Sequence, residues 1–213
     1  TVSVTIQDDG EGGVTTVSQV ANILNVAPTI TSLVAPATGG EGEALLFEVE
    51  TDDAGIDDLP DHVAIWTWGD GASDVGFSLT HAYIDQGTWT VTLTVDDGDN
   101  GQVVQTMTVV TENVAPTITS TPPVNAIQGI LYTYQVVVDE PGDDVLTFTL
   151  APSAPAGMTI NSATGLIEFT GTYAQSFTGP YTIVIGVSDG EGGVDGQVYT
   201  LNVLSADTDG DGI

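Results

Sequence analysis

Apolar and polar residues alternate with a period of two through most of the chain. Trp89, Val91, Leu93 and Val95 are interleaved with Thr88, Thr90, Thr92 and Thr94, and Leu146, Phe148 and Leu150 with Thr147 and Thr149. Successive side chains of an extended segment point to opposite faces, so this pattern predicts strands with one buried and one wet face. Clusters of Gly, Pro or Asp arrive before any window is long enough for a stable helix. The expected fold is therefore all-β with no substantial helix. Strands are predicted at 29–34, 44–50, 63–68, 77–83, 88–95 and 102–111.

The strands belong to a repeating plan. Ile6-Gln7-Asp8-Asp9-Gly10 leads into Asn25-Val26-Ala27-Pro28-Thr29-Ile30, and Val95-Asp96-Asp97-Gly98 leads into Asn113-Val114-Ala115-Pro116-Thr117-Ile118. The linker residues Val26 and Val114 are 88 positions apart, close to the length of one immunoglobulin-like sandwich. The string DGEGGV occurs at 9–14 and again at 189–194, so each unit closes with the same kind of acidic hairpin. The expectation is a slice of a tandem array of immunoglobulin-like β-sandwiches. Residues 1–26 are the last hairpin of an incomplete preceding unit, 27–113 and 114–204 are two sandwiches, and 205–213 is an acidic linker that begins a calcium-type loop. A lone hairpin is marginal in water. The apolar face with Val2, Val4 and Ile6 is expected to be covered by strand addition from another chain or polymer neighbour.

Charge narrows the partners. The 213 residues include 30 acids, no Lys and no Arg, for a formal charge of −30. No basic surface exists to meet phosphates, heparin or anionic lipid, which excludes nucleic acid and membrane-surface partners. Without Lys there are no Lys–Asn isopeptide staples, and without Cys no disulfides. No apolar run approaches the ~20 residues of a membrane span, and no basic-then-apolar leader opens the chain. Both ends of the precursor are expected to lie elsewhere.

Two resemblances sharpen the plan. Trp66-Thr67-Trp68-Gly69-Asp70-Gly71, His81-Ala82-Tyr83 and the run from Gly87 to Val95 resemble the polycystic kidney disease (PKD) repeat, with Trp68 standing where that family usually has Phe. Residues 114–204 are similar to the cadherin-like immunoglobulin (dystroglycan-type) modules of bacterial or archaeal surface proteins. That match lies in Asp139-Glu140-Pro141-Gly142-Asp143-Asp144, Gly157-Met158 and Thr164-Gly165. At the far end Asp207, Asp209 and Asp211, spaced by two and followed by Gly212, match the first half of an EF-hand or thrombospondin type 3 loop without its later ligands.

In such a sandwich the loop after the second strand and the hairpin before the last strand emerge at one pole. In the second unit that pole gathers Asp139, Glu140, Asp143, Asp144 and Asp189, with Glu112 and Asn113 arriving on the linker. Two carboxylates ~5 Å apart repel by roughly 3 kcal/mol at an effective dielectric of 20. A cation is the expected remedy. Calcium takes six to eight hard oxygens, whereas zinc wants Cys or His, of which the chain has none and two. The candidate metal ligands are thus Glu112, Asn113, Asp139, Glu140, Asp143, Asp144, Asp189, Asp207, Asp209 and Asp211. The competing reading makes them solvated turn residues, since Asp and Gly suit turns. The first unit repeats the layout with Asp52, Asp53, Asp57, Asp58 and Asp61 against Asp96, Asp97 and Asp99. Trp66, Trp68 and Trp89 are expected in the core, His81 as a hydrogen-bonded structural residue, and His62 as exposed.

Nothing marks a catalytic centre: there is no G-x-S-x-G elbow, Cys nucleophile or phosphate loop, and no Lys or Arg to hold an anionic transition state. The leading expectation is a structural, adhesive segment of a long extracellular surface or fibre protein. It would be stiffened by Ca2+ at domain junctions and joined to neighbouring repeats or to copies of itself by strand exchange. The alternative is a non-catalytic accessory module of a secreted hydrolase, binding polysaccharide or protein. Extreme acidity also suits a high-salt habitat.

Overall fold

The computed structural model describes residues 25–54 and 62–206, and the backbone of 2–7 and 14–19. Strands β1 (Val2–Gln7) and β2 (Val14–Gln19) form an antiparallel ladder with Val4 opposite Val17.

The first sandwich comprises β3 (Thr29–Val34), β4 (Thr38–Gly40), β5 (Leu45–Asp52), β6 (Val63–Thr67), β7 (Ser73–Val75), β8 (Ser78–His81), β9 (Gly87–Asp96) and β10 (Gln102–Glu112). One sheet runs β3-β5-β8 and the other β4-β10-β9-β6-β7. Inward residues of β5, β6 and β9 close the core with Trp68 and Tyr83. Trp66 and Trp68 are fully buried and stack with ring centroids 5.5 Å apart. Burial of an indole is tolerable only when its N–H finds an acceptor. Trp66 Nε1 donates to the Gly76 carbonyl (3.0 Å) and Trp68 Nε1 to Asp74 Oδ2 (2.8 Å). Trp89 is half-buried, stacks on Tyr83 at 4.9 Å, and donates to Thr111 Oγ1. His81 stacks on Trp68 at 4.5 Å while its Nε2 lies 2.7 Å from Asp70 Oδ2.

One expectation is corrected. His62 is buried, not exposed; its Nδ1 lies 2.9 Å from Thr51 Oγ1 and its Nε2 3.6 Å from Asp53 Oδ2. The period-two phase that turns Ala64, Trp66 and Trp68 inward extends one step ahead of β6 and carries residue 62 with it.

The second sandwich comprises β11 (Thr117–Ile118), β12 (Asn125–Ile127), β13 (Leu131–Gln135), β14 (Val138–Asp139), β15 (Thr147–Leu150), β16 (Thr159–Ile160), β17 (Leu166–Thr170), β18 (Tyr181–Ser188) and β19 (Val194–Leu204). Sheet β12-β19-β18-β15 faces β13-β17-β16, and β11 pairs with β14 in a separate antiparallel ladder. Between the layers lie Tyr132, Tyr134, Phe148, Ile167, Phe169, Ile183, Ile185 and Leu201. The helical content among the described residues is one 3-10 turn, Ala174–Phe177. The fold is all-β, as the alternation implied.

Candidate metal centre at the junction

Each sandwich ends its last hairpin on a buried aspartate, and both aspartates are held in the same way. Asp97, between β9 and β10, accepts the Asp99 and Gly101 N–H groups on Oδ1 (2.8 and 2.9 Å) and the Asn25 amide on Oδ2 (2.7 Å). Asp189, between β18 and β19, accepts the N–H groups of Glu191, Gly192 and Gly193 on Oδ1 (2.8 to 3.0 Å) and the Asn113 amide on Oδ2 (2.9 Å). The linker Asn of each unit is thus clasped to that unit's own hairpin. For Asp189 the Asn113 amide is the leading reason its pKa falls below the usual carboxylate value. At Asp97 burial alone would raise it, but the Asn25 amide and hairpin N–H groups outweigh burial. Glycine is required beside each clasp. A Cβ on Gly193 would strike Asp189 Oδ2 and come within 2.7 Å of Ala115 Cα; on Gly101 it would strike Asp97 Oδ2 and reach 2.9 Å from Ala27 Cα.

The two sandwiches then meet at Glu41, in the turn after β4. The Glu41 N–H donates to the Glu112 carbonyl (3.0 Å), and its Oε1 accepts the Val114 N–H (2.8 Å). Gly42 has φ +70° and donates to the Tyr83 carbonyl (2.7 Å); a Cβ there would run into the Pro141 carbonyl of the second sandwich. The Asp143 N–H crosses back to the Ile84 carbonyl (2.9 Å). Glu41, only 1% exposed, is thereby delivered to the loop that carries Glu140 and Asp144. One carboxylate oxygen from each of these three residues lies within 4.8 Å of the others.

That arrangement is electrostatically incomplete. Glu41 Oε2, Glu140 Oε2, Asp144 Oδ2 and Asn113 Oδ1 are all buried with no hydrogen-bond partner among the described residues. Burial raises the Glu140 and Asp144 pKa values above their ordinary ones, with Glu41 and Asp189 adding to the push on each. No Lys or Arg exists anywhere in the chain to neutralise them. Orphaned hard oxygens converging from two domains fit a divalent cation such as calcium.

The expected ligands fall into several places. Glu140 and Asp144 join the cluster, and Asn113 has a buried, unpartnered Oδ1. Asp189 has both oxygens engaged in its hairpin and clasp. Glu112 is exposed and contributes its carbonyl to Glu41. Asp139 is exposed at the end of β14, and Asp143 is exposed while its backbone bridges the domains. Asp207, Asp209 and Asp211 lie outside the described residues, as do Asp57, Asp58 and Asp61. In the first unit Asp52 and Asp99 are exposed, Asp53 lies beside His62, and Asp96 accepts the Gly98 N–H. Glu41 was missed. Its signal was Gly39-Gly40-Glu41-Gly42, one acid in a run of glycines, at the end of the first sandwich remote in sequence from the acidic loops.

Residues 25–111 match the PKD domain family and residues 115–204 the family described as Putative Ig domain. The chain thus carries a stretch similar to a PKD domain followed by one similar to an Ig domain. No curated protein matches it. Among solved structures, a putative α-galactosidase from Bacteroides fragilis aligns at 18% identity and TM-score 0.36, over 43% of this chain and 18% of its own. The PKD1 domain of Vibrio anguillarum Epp aligns at 22% identity and TM-score 0.32, over 42% of this chain and 98% of its own. The insect immune protein hemolin aligns at 10% identity and TM-score 0.48, over 96% of this chain and 55% of its own. At such identities and scores these likenesses decide nothing about what the PKD–Ig pair does. The chain spans less than a fifth of the galactosidase and about half of hemolin.

Proposed function

We propose that the PKD–Ig pair is a structural, adhesive segment of an extracellular tandem-repeat protein, with its joint stiffened by Ca2+. Glu41, Glu140 and Asp144 would hold the ion, whose contribution is charge neutralisation of carboxylates that belong to different domains. The observation that carries this reading is the set of buried, unpartnered junction oxygens in a chain without Lys or Arg. Small-angle scattering and NMR relaxation of the whole chain, with and without chelator at constant ionic strength, test it. The expected result is a wider spread of interdomain orientations without calcium, reversed by calcium and not by monovalent salt. Recovery with monovalent salt alone would favour general screening of an acidic surface, and unchanged orientations would refute the stiffened joint.

Strand exchange belongs to the same reading. The β1–β2 ladder has two strands, fewer than independent stability requires. Concentration-dependent association in sedimentation, lost when residues 1–24 are deleted, is the expected outcome.

A second reading, an accessory module binding polysaccharide or protein beside a secreted hydrolase, draws on one exposed aromatic pair. Tyr173, capping the 3-10 turn, and Phe177, at its end, are 65% and 68% exposed and meet edge to face at 4.8 Å. Retention on insoluble polysaccharide, lost in Tyr173→Ala and Phe177→Ala, would favour it. The inward Trp side chains weigh for the structural reading, because a stacking platform needs exposed rings.

A further inference from the structure

We infer that Asp189 is a positioning residue for the junction cation: it aims the Asn113 amide so that Oδ1 becomes a fourth protein oxygen of the site, while Asp189 itself stays off the ion. This rests on the reading of the junction as a cation site.

Asp189 has little acceptor capacity left to give an ion. Its Oδ1 already accepts three N–H groups and its Oδ2 the Asn113 amide. A carboxylate oxygen offers about two lone-pair sites, so Oδ1 is saturated. The bond on Oδ2 fixes which end of the Asn113 amide faces the hairpin. A flipped amide would set Oδ1 against the Asp189 carboxylate, acceptor against acceptor. Oδ1 must therefore face the other way, where it is buried with no donor.

The backbone sets where that other way leads. The carbonyl of Glu112 accepts from the Glu41 N–H and the N–H of Val114 donates to Glu41 Oε1, so Asn113 is bracketed by two bonds to Glu41. An amide oxygen is a normal calcium ligand alongside carboxylates. With Asn113 included, one ion ties together the PKD domain through Glu41, the linker through Asn113, and the Ig domain through Glu140 and Asp144. Groups that orient a metal ligand from behind are commonly worth 10- to 100-fold in metal affinity.

The chain supplies its own control. Asn25 makes the same clasp to Asp97 at 2.7 Å and also donates to the Asp99 carbonyl, but the residue is exposed.

The test is a calcium titration of the isotope-labelled full chain after chelation, read by calorimetry and by the side-chain amide NMR signals of Asn113 and Asn25. Calcium should shift the Asn113 signal and saturate with the calorimetric curve, leaving Asn25 in place. Asp189→Asn keeps an oxygen for the hairpin N–H groups but opposes two amide donors, and should weaken calcium binding about 10- to 100-fold. Asn113→Ala should weaken it comparably, and Asp189→Asn combined with Asn113→Asp should restore it. If Asp189→Asn weakens binding while Asn113→Ala does not, Asp189 is a direct ligand and the inference is overturned. If both variants lower the melting temperature of the chelated protein yet leave the calcium Kd unchanged, the clasp is purely structural and the inference again fails. An unmoved Asn113 signal at saturation overturns it without any variant. Absence of saturable calcium binding in the wild-type chain would instead sink the cation-site reading on which it rests.

Discussion

Glu41→Gln should change stability in opposite directions with and without calcium. The side chain is 1% exposed and shares one region with Glu140 and Asp144, their oxygens no more than 4.8 Å apart. Each charged pair at that separation costs about 3 kcal/mol at an effective dielectric near 20. Solvent screening at the rim reduces what neutralising Glu41 recovers to about 1–3 kcal/mol. Against this, the amide oxygen of Gln still accepts the Val114 N–H but loses charge assistance, a loss of about 1 kcal/mol. In chelator the variant should therefore be as stable as the wild type or about 1–2 kcal/mol more stable, which at about 4–8 °C per kcal/mol for a domain of this size is a readable rise in Tm. In calcium the order reverses. A cation at 100-fold excess over its Kd adds about 2.7 kcal/mol to the wild type, and a ligand loss that weakens Kd 100-fold leaves only about 0.4 kcal/mol. Calorimetric melts of both proteins in chelator and in calcium, at matched ionic strength, measure all four values. Equal losses in both conditions would show that Glu41 is a hydrogen-bonded strut and that the carboxylates need no ion.

The same electrostatics predict the pH response of the chelated protein. Glu140 and Asp144 titrate above their unfolded values, so the folded state binds the extra protons, and stability should rise as pH falls from neutrality toward the carboxylate range. Asp97 and Asp189 titrate below theirs; their contribution is present above the unfolded value and is lost as pH falls through the lower folded one, so the rise should turn into a fall. Tm measured against pH in chelator checks the maximum, and a monotonic fall from pH 7 downward would contradict it. Gly193→Ala and Gly101→Ala each force a methyl onto an Asp–Asn clasp and should cost about 1–3 kcal/mol in chemical denaturation; a change under about 0.5 kcal/mol would mean the clasp yields freely. Trp66→Ala should cost about 3–5 kcal/mol in the same assay, and iodide should scarcely quench the wild-type emission from Trp66 and Trp68; strong quenching would contradict their burial.

Much of this protein was legible from period and spacing alone. Alternation decided which of Thr88 to Val95 face the core, because side-chain direction in a strand is a local property of the backbone. The repeated Asn-Val-Ala-Pro linkers and acidic hairpins carried the period of the repeat, because each sandwich needs about the same length to close its own core. Local pattern could not reveal the partner of the second domain's acidic pole. Glu41 lies roughly a hundred residues from Glu140 and reaches it only because the β4 turn, Tyr83 and the linker are hydrogen-bonded into one corner. The split between Asp189, consumed by its hairpin, and Glu140 and Asp144, left with bare oxygens, was likewise invisible among equivalent acids. Which carboxylate is satisfied depends on where backbone N–H groups from distant turns arrive, and only the folded chain sets that.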